Sequence, residues 1–270
     1  MARRGFRLIG APPATPDRRR FLAGAVGAAV AGTLGAPTPA FAFGEEGAFN
    51  PRILLTGDRK LEGVRVTAPA RWSDEVVRRT SAPGRLRPSM VHADDKELLA
   101  EPFAILCGAG ELPALTTREV SGLKQFFGMG GILFVDDFEP DDGAFGKTAR
   151  REIARALPEL VPISIGPENV VFRSFYLLKR ANGRVLGPAT LDGIVRGGAV
   201  QVLFSSHDVL GALARDADGG GSMDVTPGGE PQREQAVRLA VNVALYVLCS
   251  NYKDDQVHAE HIMRRRGVAK

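Results

Sequence analysis

Gly130-Gly-Ile-Leu-Phe-Val-Asp136-Asp137 is the stretch that decides how this chain folds. An uninterrupted apolar run, opened by glycines and closed by two acids, reads as a strand buried on both faces, the habit of parallel sheets. A helix with both ends written into the sequence lies just upstream. Thr116 and Glu119 are spaced as a capping box, Val120, Leu123, Phe126 and Phe127 recur at helical spacing, and Gly128 stops the run. Downstream, Phe145 to Leu157 is a second helix, halted before Pro158.

The same alternation continues toward the N-terminus. Arg52-Ile-Leu-Leu-Thr56, ending in Gly57-Asp58, and Phe103-Ala-Ile-Leu-Cys107, closed by Gly108-Ala-Gly110, are buried strands, and Ser73 to Thr80 is expected as a helix with Asp74 and Glu75 in its first turn. The second half changes rhythm. Val170 to Leu178, Leu191 to Val195 and Val200 to Ser205 are strand-like and closely spaced, with Arg196-Gly-Gly-Ala199 as a turn, which predicts an antiparallel extension. The last helix opens at Pro231 and is apolar nearly all round from Ala236 to Leu248, leaving a narrow polar stripe of Glu234, Arg238 and Asn242. The expected fold is therefore α/β, a three-layer, mostly parallel sheet with an antiparallel extension. The glycine-rich stretch Asp216 to Gly229 reads as a surface loop within the domain.

Charge is distributed unevenly. The 270 residues carry a formal +4, but six of the 35 basic residues and only one of the 31 acidic ones precede Phe43, so 29 basic face 30 acidic beyond it. The basicity belongs to an N-terminal address. Asp17-Arg18-Arg19-Arg20-Phe21-Leu22 resembles a twin-arginine export signal, an uncharged run follows to Leu34, and Ala40-Phe41-Ala42 offers a signal-peptidase site. That run falls short of the roughly 20 residues a spanning helix needs. Residues 1–42 are thus expected as a signal peptide and 43–270 as one domain with a basic tail, periplasmic or otherwise extracytoplasmic. The export machinery and signal peptidase would be partners of the precursor, and a membrane would be met only through an uncleaved signal. Nucleic acid is not an expected partner, because its electrostatic support leaves with the signal.

In such sheets ligands sit beyond the carboxyl ends of the strands. The polar residues gathered there are Thr56 and Asp58, Gly108 to Glu111, Asp136 and Asp137, and Ser205 to Asp208. Adjacent carboxylates such as Asp136 and Asp137 suit a hard cation or acid–base work, but alternation along a strand turns only one of them toward a cleft. His207 beside Asp208 is a candidate base or ligand. Glu230 and Arg233 follow glycines at a helix start, where Arg233 could grip an anion and Glu230 suits the helix dipole. Cys107 and Cys249 lie in apolar surroundings and read as buried thiols, and Cys107 lacks the glycine elbow of a nucleophile. His258 and His261 share a helical spacing, in a tail ending Arg264-Arg265-Arg266. No phosphate loop, dinucleotide fingerprint or Cys-x-x-Cys occurs, so no cofactor is expected.

Phe49-Asn-Pro-Arg52 with Thr56-Gly-Asp58, the Gly130–Asp137 stretch, Phe172-Arg-Ser-Phe-Tyr-Leu-Leu178, Ser206-His-Asp208, Pro227-Gly-Gly-Glu-Pro-Gln-Arg-Glu234 and Tyr252-Lys-Asp-Asp-Gln-Val-His258 together resemble one bacterial family, the domain of unknown function numbered 4159. The resemblance implies a flavodoxin-like fold similar to class I glutamine amidotransferases, and its most specific part adds Arg173 to the binding candidates. An amidotransferase would carry a cysteine after the strand that here ends in Asp136-Asp137. None stands there, so glutaminase chemistry is expected to be absent. Two functions follow: a non-catalytic module of the cell envelope that binds a small molecule or an envelope protein, or a metal-assisted hydrolase of envelope carbohydrate or amide bonds, which the acids Asp58, Glu111, Asp136, Asp137 and Asp208 would serve.

Overall fold

The structure, a computed structural model, describes residues 47–267, with side chains as far as Ser250, all within the compact unit Phe43–Lys270. Residues 1–42, where an export signal is expected, and the side chains of His258, His261 and Arg264 to Arg266 lie outside the described residues.

Seven strands form one sheet: β1 (Arg52–Leu55), β2 (Met90–His92), β3 (Phe103–Gly108), β4 (Ile132–Asp137), β5 (Ile163–Ile165), β6 (Leu191–Arg196) and β7 (Ala199–Ser205), in the order β2-β1-β3-β4-β7-β6-β5. The first five strands in that order pair in parallel, whereas β6 pairs antiparallel with both β7 and β5. This is the mostly parallel α/β fold with an antiparallel extension that the apolar runs imply. Its parallel part follows the doubly wound order in which the chain reverses between β1 and β3.

The helices are α1 (Ala68–Arg79), α2 (Thr117–Gly128), α3 (Ala144–Ala156), α4 (Val209–Leu213) and α5 (Gly229–Gly267). Two apolar clusters cover the two faces of the sheet. Trp72 of α1, Leu210 of α4 and Val241 of α5 pack with Ile105 and Phe134 on one face, and Leu123 of α2 and Ile153 of α3 pack with Leu106 and Val135 on the other. Alternating residues of β3 and β4 feed alternate clusters, as pleating requires. Trp72 anchors the first face. Its ring lies 5.4 Å from that of Phe134, and its indole N–H donates to the Ala240 carbonyl at 2.7 Å.

The Thr116–Glu119 capping box forms as read, the Thr116 hydroxyl accepting from the Glu119 amide and the Glu119 carboxylate from the Thr116 amide. Elsewhere the structure corrects the reading. α1 begins at Ala68 with Pro69 in its first turn, so Asp74 and Glu75 are mid-helix. The buried Trp72 has to be on that helix to reach the core, and this extends it past the local cap signal at Ser73. Val170 to Leu178 is no strand. Asn169 accepts from the Val171 amide and starts a 3-10 turn, Val170–Phe172, after which the backbone of Ser174 to Tyr176 docks on α5. There the buried Asn242 side chain accepts from the Tyr176 amide and donates to the Tyr176 carbonyl, at 2.7 and 2.9 Å. Both β2 and β5 escaped the reading because each is only three residues long.

Candidate functional site

β1 and β3 leave the sheet toward opposite faces, β1 toward α1 and β3 toward α2, and a crevice opens between their loops. A cleft of about 460 Å³ occupies it, lined on one side by Thr56 to Arg59 and on the other by Pro113 to Thr116, with Glu119 at its base. Gly57 takes a left-handed φ of 53°, which turns its amide onto Glu119 Oε1 at 2.7 Å. Burial pushes the Glu119 carboxyl up, but the amides of Thr116 and Gly57 and the Thr116 hydroxyl outweigh it and hold the group below the usual carboxylate range. Arg59 staples the walls together, donating to the carbonyls of Glu111 and Ala109, both at 3.2 Å, while lying over the Phe145 ring. The exposed Asp58 is the free carboxylate of this lining.

Farther along the same carboxyl edge, the strand ends of β4 and β7 are covered. Pleating sends Asp136 and Asp137 to opposite faces, and each is fully bonded. Asp137 accepts from the amides of Glu139 and Gly146, both at 3.0 Å, and is therefore a turn acid that ties β4 to α3. Asp136, with no exposed surface, accepts from Val209 at 3.0 Å and Leu210 at 2.8 Å, while Asp208 accepts from Gly211 at 2.9 Å. Two carboxylates thus cap three successive amides in the first turn of α4. Asp208 adopts a left-handed φ of 51°, which an Asp tolerates better than most residues, and receives Arg65 through two hydrogen bonds and Arg184 through a third. Arg65 also lies 4.3 Å from the centre of the Phe138 ring, closing the top of the pair.

Burial, and then the charge of Asp208, push the Asp136 carboxyl up to about 7, although the amides of Leu210 and Val209 pull the other way. Cys107 faces the same pair, and burial raises its thiol far above the ordinary range, which deprives it of thiolate character. It is unpaired and partly buried, and Cys249 is exposed rather than buried because it emerges near the end of the packed part of α5.

Of the sequence-derived candidates, Asp136 and Asp208 come together at the strand ends, and Glu230 and Arg233 pair apart from them on α5. His207 is buried but turns away, its Nε2 against the Pro188 carbonyl at 2.8 Å, and burial lowers its basicity. Asp58 belongs to the open cleft, whereas the side chain of Glu111 is exposed outside its lining. Arg173 is exposed and donates to the Pro167 carbonyl at 2.7 Å, closing the local turn. Glu230 pairs with Arg233, whose other nitrogens donate to the carbonyls of Ala212 and Met223, so the donors expected to grip an anion are taken up by the backbone. The acids proposed for one metal site are therefore divided among separate places, and no group of three His, Cys, Asp or Glu suited to a metal occurs among the described residues. Arg59, Arg65, Arg184 and Glu119 went unsingled as site residues. Only Glu119 carried a signal, its capping box, because the arginines act across the fold.

No curated protein matches the chain. The family model described as Domain of unknown function (DUF4159) matches residues 53–248, which spans every strand after the first residue of β1 and the packed part of α5. The chain belongs to the DUF4159 family.

Proposed function

We propose that this domain is a non-catalytic binding module of the cell envelope that takes a small polar ligand, or a projecting segment of an envelope protein, into the cleft between the β1 and β3 loops. The observation that carries the reading is the division of labour along one sheet edge. The cleft of about 460 Å³ is open and lies within the size range of ligand sites, and its free carboxylate, Asp58, favours hydroxyl or ammonium donors. The groups that chemistry would draw on, Asp136, Asp208 and Cys107, are bonded to backbone and arginine or stripped of reactivity.

An amidotransferase-like scaffold that has lost its nucleophile fits this picture, since Phe138 and Glu139 follow β4 where the cysteine would be. Export supplies the compartment: the twin-arginine resemblance of residues 17–22 supports delivery of a folded domain to the envelope side of the membrane.

Thermal-shift and calorimetric screening against amino sugars, peptidoglycan fragments and cationic peptides tests the reading, with Ala114→Trp as the partner variant. Ala114 is exposed and lines the cleft, so tryptophan fills it without entering the core. A compound that stabilises the native chain and not the filled variant is expected. Turnover of any screened compound that disappears on Asp136→Ala would overturn the non-catalytic assignment.

A further inference from the structure

A second pocket, of about 210 Å³, lies on the α1/α4/α5 face, apart from the cleft between β1 and β3. Arg71 of α1, Arg215 just after α4 and Arg233 of α5 line it, with Gly219 to Gly221 forming a wall without side chains. We propose that this pocket binds a phosphate-like oxyanion, free or as a terminal phosphomonoester.

Charge balance is the first argument. Six arginines, at positions 71, 78, 79, 215, 233 and 238, share four carboxylates, Asp74, Glu75, Glu230 and Glu234. The surplus is cationic, and three of the six guanidiniums line the pocket against one of the four carboxylates, Glu230. Burial, reinforced by Arg78 and Arg79, holds Arg71 below its ordinary range despite Glu75 and Asp74, a cost that an incoming anion relieves.

Unsatisfied groups are the second and independent argument. Arg215 Nε is buried with no acceptor, and so is the Ser222 hydroxyl. They belong to two segments that pair with each other: Arg215 bridges Gly221, and the Ser222 amide donates to the Ala214 carbonyl at 3.1 Å. Two orphaned polar groups on one short ladder, beside a pocket lined by arginines, call for a shared acceptor, and an oxyanion supplies several.

The division of roles follows from the remaining bonds. Arg233 donates to the carbonyls of Ala212 and Met223 and pairs with Glu230, so it holds the wall and lends charge. A Cβ at Gly221 would overlap that guanidinium, which is why the wall is glycine there. Arg71 and Arg215 of the lining are left to meet the ligand, with the buried Ser222 hydroxyl directly behind the wall at Gly221. The pocket holds a tetrahedral oxyanion with a few waters, each water taking about 30 Å³.

Calorimetry of the full chain with inorganic phosphate tests the site. One saturable binding event is expected. It should weaken at least tenfold in Arg215→Lys, which keeps the charge and removes Nε, and severalfold in Ser222→Ala, while Ala114→Trp in the other cleft leaves it unchanged. Because Arg215 also pairs with Asp74 and Glu75, Ser222→Ala serves as the variant without an ionic role in the fold. Glycerol phosphate and phosphatidylcholine vesicles carrying phosphatidic acid separate the sources. Tightest binding to inorganic phosphate supports the free anion, and tighter binding to the monoester or the vesicles supports a head group. Absence of saturable binding to all three probes, or binding untouched by both variants, overturns the site.

Discussion

The carboxyl edge of one sheet uses its acids in two opposite ways. Between β1 and β3, Glu119 is ionised and held low by amides at the base of an open cleft, with Asp58 free on the wall. Between β4 and β7 the connections also depart to opposite faces, yet the strand ends are covered, because Asp136 and Asp208 cap α4 over them and Arg65 and Arg184 lock Asp208. Reversal of chain direction opens a crevice; side chains decide whether it stays open. An acid at a strand end is therefore no more a mark of chemistry than of capping.

The sharpest way to break this contrast is Asp208→Ala, which strands two guanidiniums and uncaps the Gly211 amide. About 3 kcal/mol of stability should be lost, toward the low end for a broken buried pair because Arg65 and Arg184 keep 19% and 22% of their side-chain surface in water. Urea unfolding measures it, and a loss under about 1 kcal/mol would contradict the locking role. Asp136→Asn should cost about 1–2 kcal/mol at low pH, since the amide keeps one acceptor of the two.

The two ends should also differ in the sign of their pH dependence. The folded Asp136 carboxyl, raised to about 7, keeps a proton that the unfolded chain has already released, so its contribution to stability falls as pH rises from about 4 to 7. Asp136→Asn flattens that slope. Glu119 is lowered instead, so its contribution is present above the ordinary carboxylate range and disappears as pH falls through it. Glu119→Gln should cost about 1 kcal/mol at pH 7 and almost nothing near pH 3. Parallel slopes for the two variants in urea midpoints measured across pH would remove the distinction. The smallest effect belongs to the open wall. Asp58→Asn and Ala114→Trp should stay within about 0.5 kcal/mol of the parent, and only ligand binding should change.

Much of this was legible residue by residue. The run Ile132 to Val135 announced a parallel strand, pleating already separated Asp136 from Asp137, and Thr116 with Glu119 announced its own box. Val170 to Leu178 misled because an apolar, aromatic segment that docks on a helix resembles one that docks on a sheet, and its partner, Asn242, is more than sixty residues away. His207 and Glu230 lie apart from the Asp136–Asp208 pair for a similar reason: the direction of His207 is set by the Pro188 carbonyl and that of Glu230 by Arg233, neither of them visible in local spacing.

The sequence by itself determined the layer architecture, the capping of α2, the burial of the strands and the neutrality of the chain beyond residue 42, because these depend on periodicity and composition. Only the tertiary structure decided which strand-end acids face one another, which arginines reach them, and which end of the sheet remains open. Those outcomes rest on contacts such as Arg65 to Asp208, 143 residues apart, and no local pattern encodes a contact between segments that only the folded sheet brings together.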